Sequence, residues 1–136
     1  MIKFRAWDKR MKVMIDVAVL HFAKDGKVNS IEYWKTPSEL KSYHVRNLVL
    51  MQSTGLKDKN GVEIFEGDVL RVYEIDDIRG ESEYTSPVIW KDYGWLVYDT
   101  DTDIPLCLLD RDSDWVDKDV EIEVLGNIHA NPELLI

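Results

Sequence analysis

One uninterrupted stretch constrains the fold most: Leu50-Met51-Gln52-Ser53-Thr54-Gly55-Leu56-Lys57-Asp58-Lys59-Asn60-Gly61-Val62-Glu63-Ile64-Phe65-Glu66-Gly67-Asp68-Val69. It runs from an apolar strand-like segment through a polar loop bounded by two glycines. A short apolar pair, a Glu66-Gly67-Asp68 turn and the start of another strand follow. Gly55, Gly61 and Gly67, with Gly126 further on, stand where the chain is expected to turn. Asp68 follows a glycine, where its carboxylate can accept turn amide hydrogens, and Glu66 completes that turn. No side chain here makes an evident nucleophile, acid–base pair or redox centre. The stretch specifies architecture, not a reaction.

The rest of the chain repeats the theme. Residues 2–7 alternate Ile2, Phe4 and Ala6 against Lys3, Arg5 and Trp7, a half-buried strand pattern. Two β-prone runs flank Asp25-Gly26, which predicts a hairpin with a type I′ turn. Thr36-Pro37-Ser38-Glu39 has the form of a helix start, with Thr36 as cap, Pro37 first and Glu39 completing a capping box. Leu40, Tyr43 and His44 would then share one face of a short helix ending near residues 45–47. Residues 74–83 form an acidic stretch around Gly80, expected as a mobile loop. Residues 88–90 and 95–98 predict a second hairpin. Val120, Ile122 and Val124 alternate with Glu121 and Glu123, giving a strand with one wet face. Asn131-Pro132 caps and starts a last helical turn.

Short strands with frequent turns and one short helix predict a mainly β, β-rich α+β domain rather than βαβ units. The expected architecture is an SH3-like small barrel from about residue 48 to 136. N-terminal hairpins and the helix fill about residues 1–47, all within one domain of 136 residues. A chain of this length buries about two-thirds of its unfolded surface, so it needs neither disulfide nor metal to fold. Five Trp and six Tyr residues supply large rigid area for a core or a contact surface. Trp7 and Phe65 are expected core anchors.

Net charge is −9 and unevenly placed. Residues 1–14 hold five basic side chains against Asp8, and residues 99–123 hold ten acidic ones against Arg111 and Lys118. An acidic total opposes direct binding to a phosphate backbone, which needs clustered Lys and Arg. Cys107 is alone, so no intramolecular disulfide forms, which suits a reducing compartment. No apolar run is long enough to span a bilayer, and the opening residues do not form a signal peptide.

Asp99-Thr100-Asp101-Thr102-Asp103 and Asp110-Arg111-Asp112-Ser113-Asp114 imitate the start of a calcium loop. Ile104 and Trp115 stand where such a loop needs glycine, and the twelfth positions are Asp110 and Glu121. Asp110, Asp112 and Asp114 are therefore weak metal candidates, and no cofactor is expected. His21, His44 and His129 show no ligand spacing. Cys107 lies in an apolar run, where a thiol packs as a small hydrophobe. Phosphate-cradling glycine loops are absent from the sequence.

Four blocks carry a family resemblance: residues 2–8, residues 51–61, Phe65-Glu66-Gly67-Asp68, and residues 126–135. In order and near both ends, they resemble the recurrent pattern of the YopX family of phage and prophage proteins. Residues 13–47 and 74–120 carry no such block. The resemblance implies a mobile-element product in the host bacterial cytoplasm, oligomeric, with no settled activity and no catalytic set to carry over.

The expected function is an accessory protein that self-assembles and binds a host or phage protein without catalysis. Lys57, Asp58, Lys59 and Asn60 are the candidate partner-binding loop. A runner-up makes segment 99–123 an acidic DNA mimic that blocks a host nucleic-acid-binding protein. A metal-dependent enzyme using the Asp cluster comes third.

Overall fold

Ala6 is fully buried between a half-buried Arg5 and Trp7, so the alternation at the start of the chain does form a strand. The computed structural model describes residues 2–76, 80–91, 94–99, 104–108 and 120–135. Two compact units emerge, Met1–Ser53 and Thr54–Ile136, with the boundary inside a strand rather than near residue 47.

The first unit contains β1 (Phe4–Asp8), β2 (Val13–Phe22), β3 (Val28–Thr36), β4 (Glu39–His44), a 3₁₀ turn at Val45–Asn47, and the opening of β5 (Leu48–Lys57). Its strands lie antiparallel in the order β4-β3-β2-β1-β5. Ala6, Ile31 and Leu48 form the buried centre of its core, packed against Ile15, Val17, Leu20, Tyr33 and Tyr43 among others. The β2–β3 hairpin is present, but its turn is not type I′. Gly26 alone takes positive φ there, at 88°, and the Asp25 carboxylate accepts the Lys27 amide proton at 2.9 Å.

The helix expected from Thr36 does not form. Pro37 and Ser38 make a tight turn, Thr36 faces Glu39, and residues 39–44 return as β4 beside β3. Cross-strand pairing decides between the two: Tyr43 opposite Ile31 gains a place in the core, while a helix would leave β3 without its outer neighbour. Only the 3₁₀ turn at Val45–Asn47 remains helical, where the His44 ring Nδ1 accepts the Arg46 amide proton at 3.0 Å.

In the second unit the end of β5 is followed by β6 (Glu63–Phe65), β7 (Asp68–Asp76), β8 (Gly80–Pro87), β9 (Ile89–Lys91), β10 (Gly94–Asp99), β11 (Ile104–Cys107) and β12 (Val120–Asn127). A 3₁₀ turn at Pro132–Leu135 follows. The sheets run β12-β7-β8 and β11-β10-β9, all antiparallel. Ile64, Leu70, Val72, Val88, Trp95, Val97, Leu108, Val120 and Ile122 are buried together as its core. The described strands make open sheets with no closed barrel. The acidic stretch expected as a loop is mostly strand: β7 reaches Asp76 and pairs with Gly80 at the start of β8. Its carboxylates are tolerated because Glu81 and Glu83 stand opposite Ile75 and Tyr73, and Glu83 bonds Arg71.

Candidate functional site

The loop at residues 58–61 is built around one carboxylate. Asp58 Oδ1 accepts the amide protons of Asn60 and Val62, both at 2.9 Å, and Oδ2 accepts that of Val124 at 2.9 Å. The Asp58 and Val62 backbones close the loop at 2.8 Å, Gly61 donates to the Asp58 carbonyl at 3.0 Å, and Lys59 N–H reaches Ile122 O at 3.0 Å. Aspartate fits because its short side chain can turn back onto amides two and four residues ahead. At 8% exposure Asp58 cannot be a presented contact residue. This corrects the expected binding loop. Lys59 instead leans toward Glu121 and Glu123 at 3.6 and 3.9 Å, leaving Lys57 and Asn60 as the outward members.

The Phe65–Asp68 turn is fastened the same way. Asp68, 1% exposed, accepts the Phe65 amide proton on Oδ2 at 2.8 Å. Gly67 takes φ +83°, donates to Val88 O at 3.0 Å and accepts from Ile128 N–H at 2.9 Å; Glu66 is half-buried beside it. Upstream, Thr54 Oγ1 donates to Ile64 O at 2.7 Å and accepts from Leu56 N–H at 3.1 Å, next to Gly55 at φ +79°. Gly126 does not stand in a turn. It lies inside β12 at a register shift, where any Cβ would overlap the Asn131 side chain. Asn131 Oδ1 accepts the Asn127 amide proton at 3.2 Å, and Asn127 Oδ1 accepts those of His129 and Ala130.

The outer face of β12-β7-β8 carries alternating charge. Arg71 donates through Nε and Nη2 to Glu123 Oε2 at 3.1 and 2.9 Å and through Nη1 to Glu83 Oε1 at 3.2 Å. The hydrogen bonds to Glu83 and Glu123 push the guanidinium pKa up. Burial, then the neighbouring Glu81, raises the Tyr73 hydroxyl above its ordinary value. Arg71 and Lys59 thus offset much of this face internally. Of the acidic segment, Asp110, Asp112 and Asp114 lie outside the described residues, as do Asp101 and Asp103.

Two juxtapositions in the first unit could not be found by spacing alone. His21 and His44 both face Ser30 across β3, and His21 Nε2 lies 3.0 Å from Glu32 Oε2. Among the described residues, no group of three or more His, Cys, Asp or Glu could hold a metal ion. An open groove of about 250 Å³ is lined by Ile2, Lys3, Phe4, Val17, Ala18 and Leu20, of which only Lys3 is titratable. Trp34 and Leu40, paired in register, are 50% and 40% exposed on strands β3 and β4. Alternation puts them on the face opposite Ile31 and Tyr43.

No helix among the described residues is long and apolar enough to cross a membrane. No curated protein matches the chain. The fold is similar to the crystal structure of protein EF1440 from Enterococcus faecalis, at 32% identity and TM-score 0.70, covering 100% of this chain and 99% of that one. It is also similar to the X-ray structure of protein yopX from Bacillus subtilis, at 23% identity and TM-score 0.66, covering 98% and 95%. The family model for the YopX protein matches residues 3–136, through both fastened turns and the Asn127–Asn131 closure, and the chain therefore belongs to the YopX family.

Proposed function

We propose that this protein acts by binding rather than by catalysis, as a phage- or prophage-encoded accessory protein of the host cytoplasm that self-assembles and holds a protein partner. One observation carries the reading. Asp58, Asp68 and Thr54, the polar side chains most prominent in the family blocks, are turned onto backbone groups of their own unit. Side chains so engaged hold shape and are not placed to attack or protonate a reactant. What is left to meet other molecules is surface: Trp34 and Leu40 beside a strand edge, with Lys57 and Asn60 as candidate contacts on the fastened loop.

An SH3-like arrangement of residues 48–136 belongs to the same proposal. Two antiparallel three-stranded sheets and a single apolar cluster in the second unit support it. Size-exclusion chromatography with light scattering tests the assembly. The expected result is a mass above that of one chain at tens of micromolar, and a strict monomer there would sink the reading.

A further inference from the structure

We infer that the open edge of β4 is a self-association edge, pairing antiparallel with β4 of a second copy about a two-fold axis centred on Leu40. The inference rests on the self-assembly proposed above and names its surface. Among the described residues β4 has a strand beside it on one side only, β3. An unpaired edge presents a row of backbone donors and acceptors, and proteins commonly blunt such edges with lysine. Lys41 stands in the middle of this one.

The register follows from symmetry and charge. A two-fold axis normal to a sheet keeps each face on its own side. Because side chains alternate between faces, only registers in which one residue meets its own copy are allowed. Centring on Glu39 or Lys41 sets like charges face to face, which is destabilising. Centring on Ser42 or Tyr43 takes Leu40 away from its apolar copy and leaves Glu39 without a counterpart in the strand. Centring on Leu40 places Glu39 opposite Lys41 of the second copy, and Lys41 opposite its Glu39. It also sets Leu40 against Leu40. Since Leu40 already pairs with Trp34 across β3, an apolar row Trp34–Leu40–Leu40–Trp34 would run across four strands. The lysine that blocks an unrelated strand therefore becomes part of a charge match for this one.

Sedimentation velocity of the full chain over a concentration series tests this. Wild type is expected to form a dimer. Lys41→Glu, which turns two attractive pairs into two repulsive ones, should raise the dissociation constant about tenfold or more. Leu40→Thr should weaken the dimer as well. The swap Glu39→Lys with Lys41→Glu should restore wild-type association, because the pairs are rebuilt with signs exchanged. At a concentration low enough that wild type and variants are all monomeric, these exposed positions should leave the thermal unfolding midpoint in place, which separates loss of association from loss of fold. A wild-type oligomer indifferent to Lys41→Glu, or a charge swap that fails to restore it, overturns the edge pairing while leaving self-assembly standing. A wild-type monomer overturns both and leaves the edge to a different protein's strand.

Discussion

In the second unit nine apolar side chains are buried together, whereas in the first only Ala6, Ile31 and Leu48 are, among the described residues. Eight neighbours of that smaller core remain half-buried. The difference extends to the polar groups. Buried carboxylates in the second unit tie one loop to a distant strand and lock a turn, through Asp58 and Asp68. In the first unit the comparable carboxylate, Asp8, closes the adjacent turn and takes the Tyr43 hydroxyl of β4, and Trp34 and Leu40 stay exposed. Burial of apolar area is the main source of stability, so the second unit holds its own shape more firmly. The first carries the open β4 edge, with Leu40 beside Trp34, to which the proposed pairing is assigned.

The sharpest way to break this contrast is Asp58→Ala. It would leave three part-buried amide donors without their acceptor. A buried one costs about 1–3 kcal/mol, and those of exposed Asn60 and Val62 cost less than that of Val124, so a loss of about 3 kcal/mol is expected. Denaturant unfolding measures the loss and native-state hydrogen exchange locates it. Protection should fall at Val72 and Ile122 while persisting at Ala6 and Ile31. Equal loss in both units would show that they do not differ in the way claimed.

Truncating one leucine in each core gives a second, smaller contrast. Leu70, fully buried, should cost about 3 kcal/mol as Leu70→Ala. Half-buried Leu20 should cost about 1 kcal/mol as Leu20→Ala, since less of it leaves water on folding. Comparable values from urea midpoints would mean the first core is better filled than its exposures imply.

How far the residues foretold this contrast depends on the range of the interaction. The alternation of Val120, Ile122 and Glu121, and the hairpin joining β9 to β10, are local patterns and appear in the structure as expected. The turn chemistry of Asp58, Asn60 and Gly61 was also legible. Its third bond was not, because Val124 lies 66 residues downstream. Thr36-Pro37-Ser38-Glu39 satisfies a capping box and a tight hairpin turn with the same letters. Six residues are too few for periodicity to separate the two, and the partner that decided it, Ile31 opposite Tyr43, is set by tertiary pairing. The placement of His21 and His44 on either side of Ser30 had no local trace for the same reason.

Titration sharpens the comparison within the first unit. Burial alone would raise the Asp8 carboxyl, but amide bonds from Met11 and Arg10 and the Tyr43 hydroxyl outweigh it and hold the pKa below the ordinary 3.8. A carboxyl depressed in the folded state contributes stability that is fully present above the unfolded value and lost as pH falls through the folded one. Between pH 5 and pH 3, wild type should therefore lose more stability than Asp8→Asn, measured by urea midpoints at each pH. Burial first, and Asp8 second, raise Tyr43 above its ordinary 10.0. Its contribution has the opposite sign, present below that pH and lost above it. Parallel acid curves for wild type and Asp8→Asn would remove Asp8 as the fastener of the β1–β2 turn.

The smallest expected effect lies in that same turn and runs the other way. Lys12 has φ +55°, the one described non-glycine residue in the left-handed region, and donates its amide to Asp8 O at 2.7 Å. The left-handed conformation costs a side-chain-bearing residue about 1–2 kcal/mol, which glycine avoids at the expense of greater freedom when unfolded. Lys12→Gly should thus stabilise the protein by less than about 1 kcal/mol. The gain should show as slower hydrogen exchange at Met14 and Ile15, with no change in β7 or β12. If the variant is instead destabilised, the Lys12 side chain contributes a contact that outweighs its backbone strain. The turn would then be held by more than the Asp8 carboxylate and carbonyl, and the first unit would be closer to the second in its fastening than its exposed surface suggests.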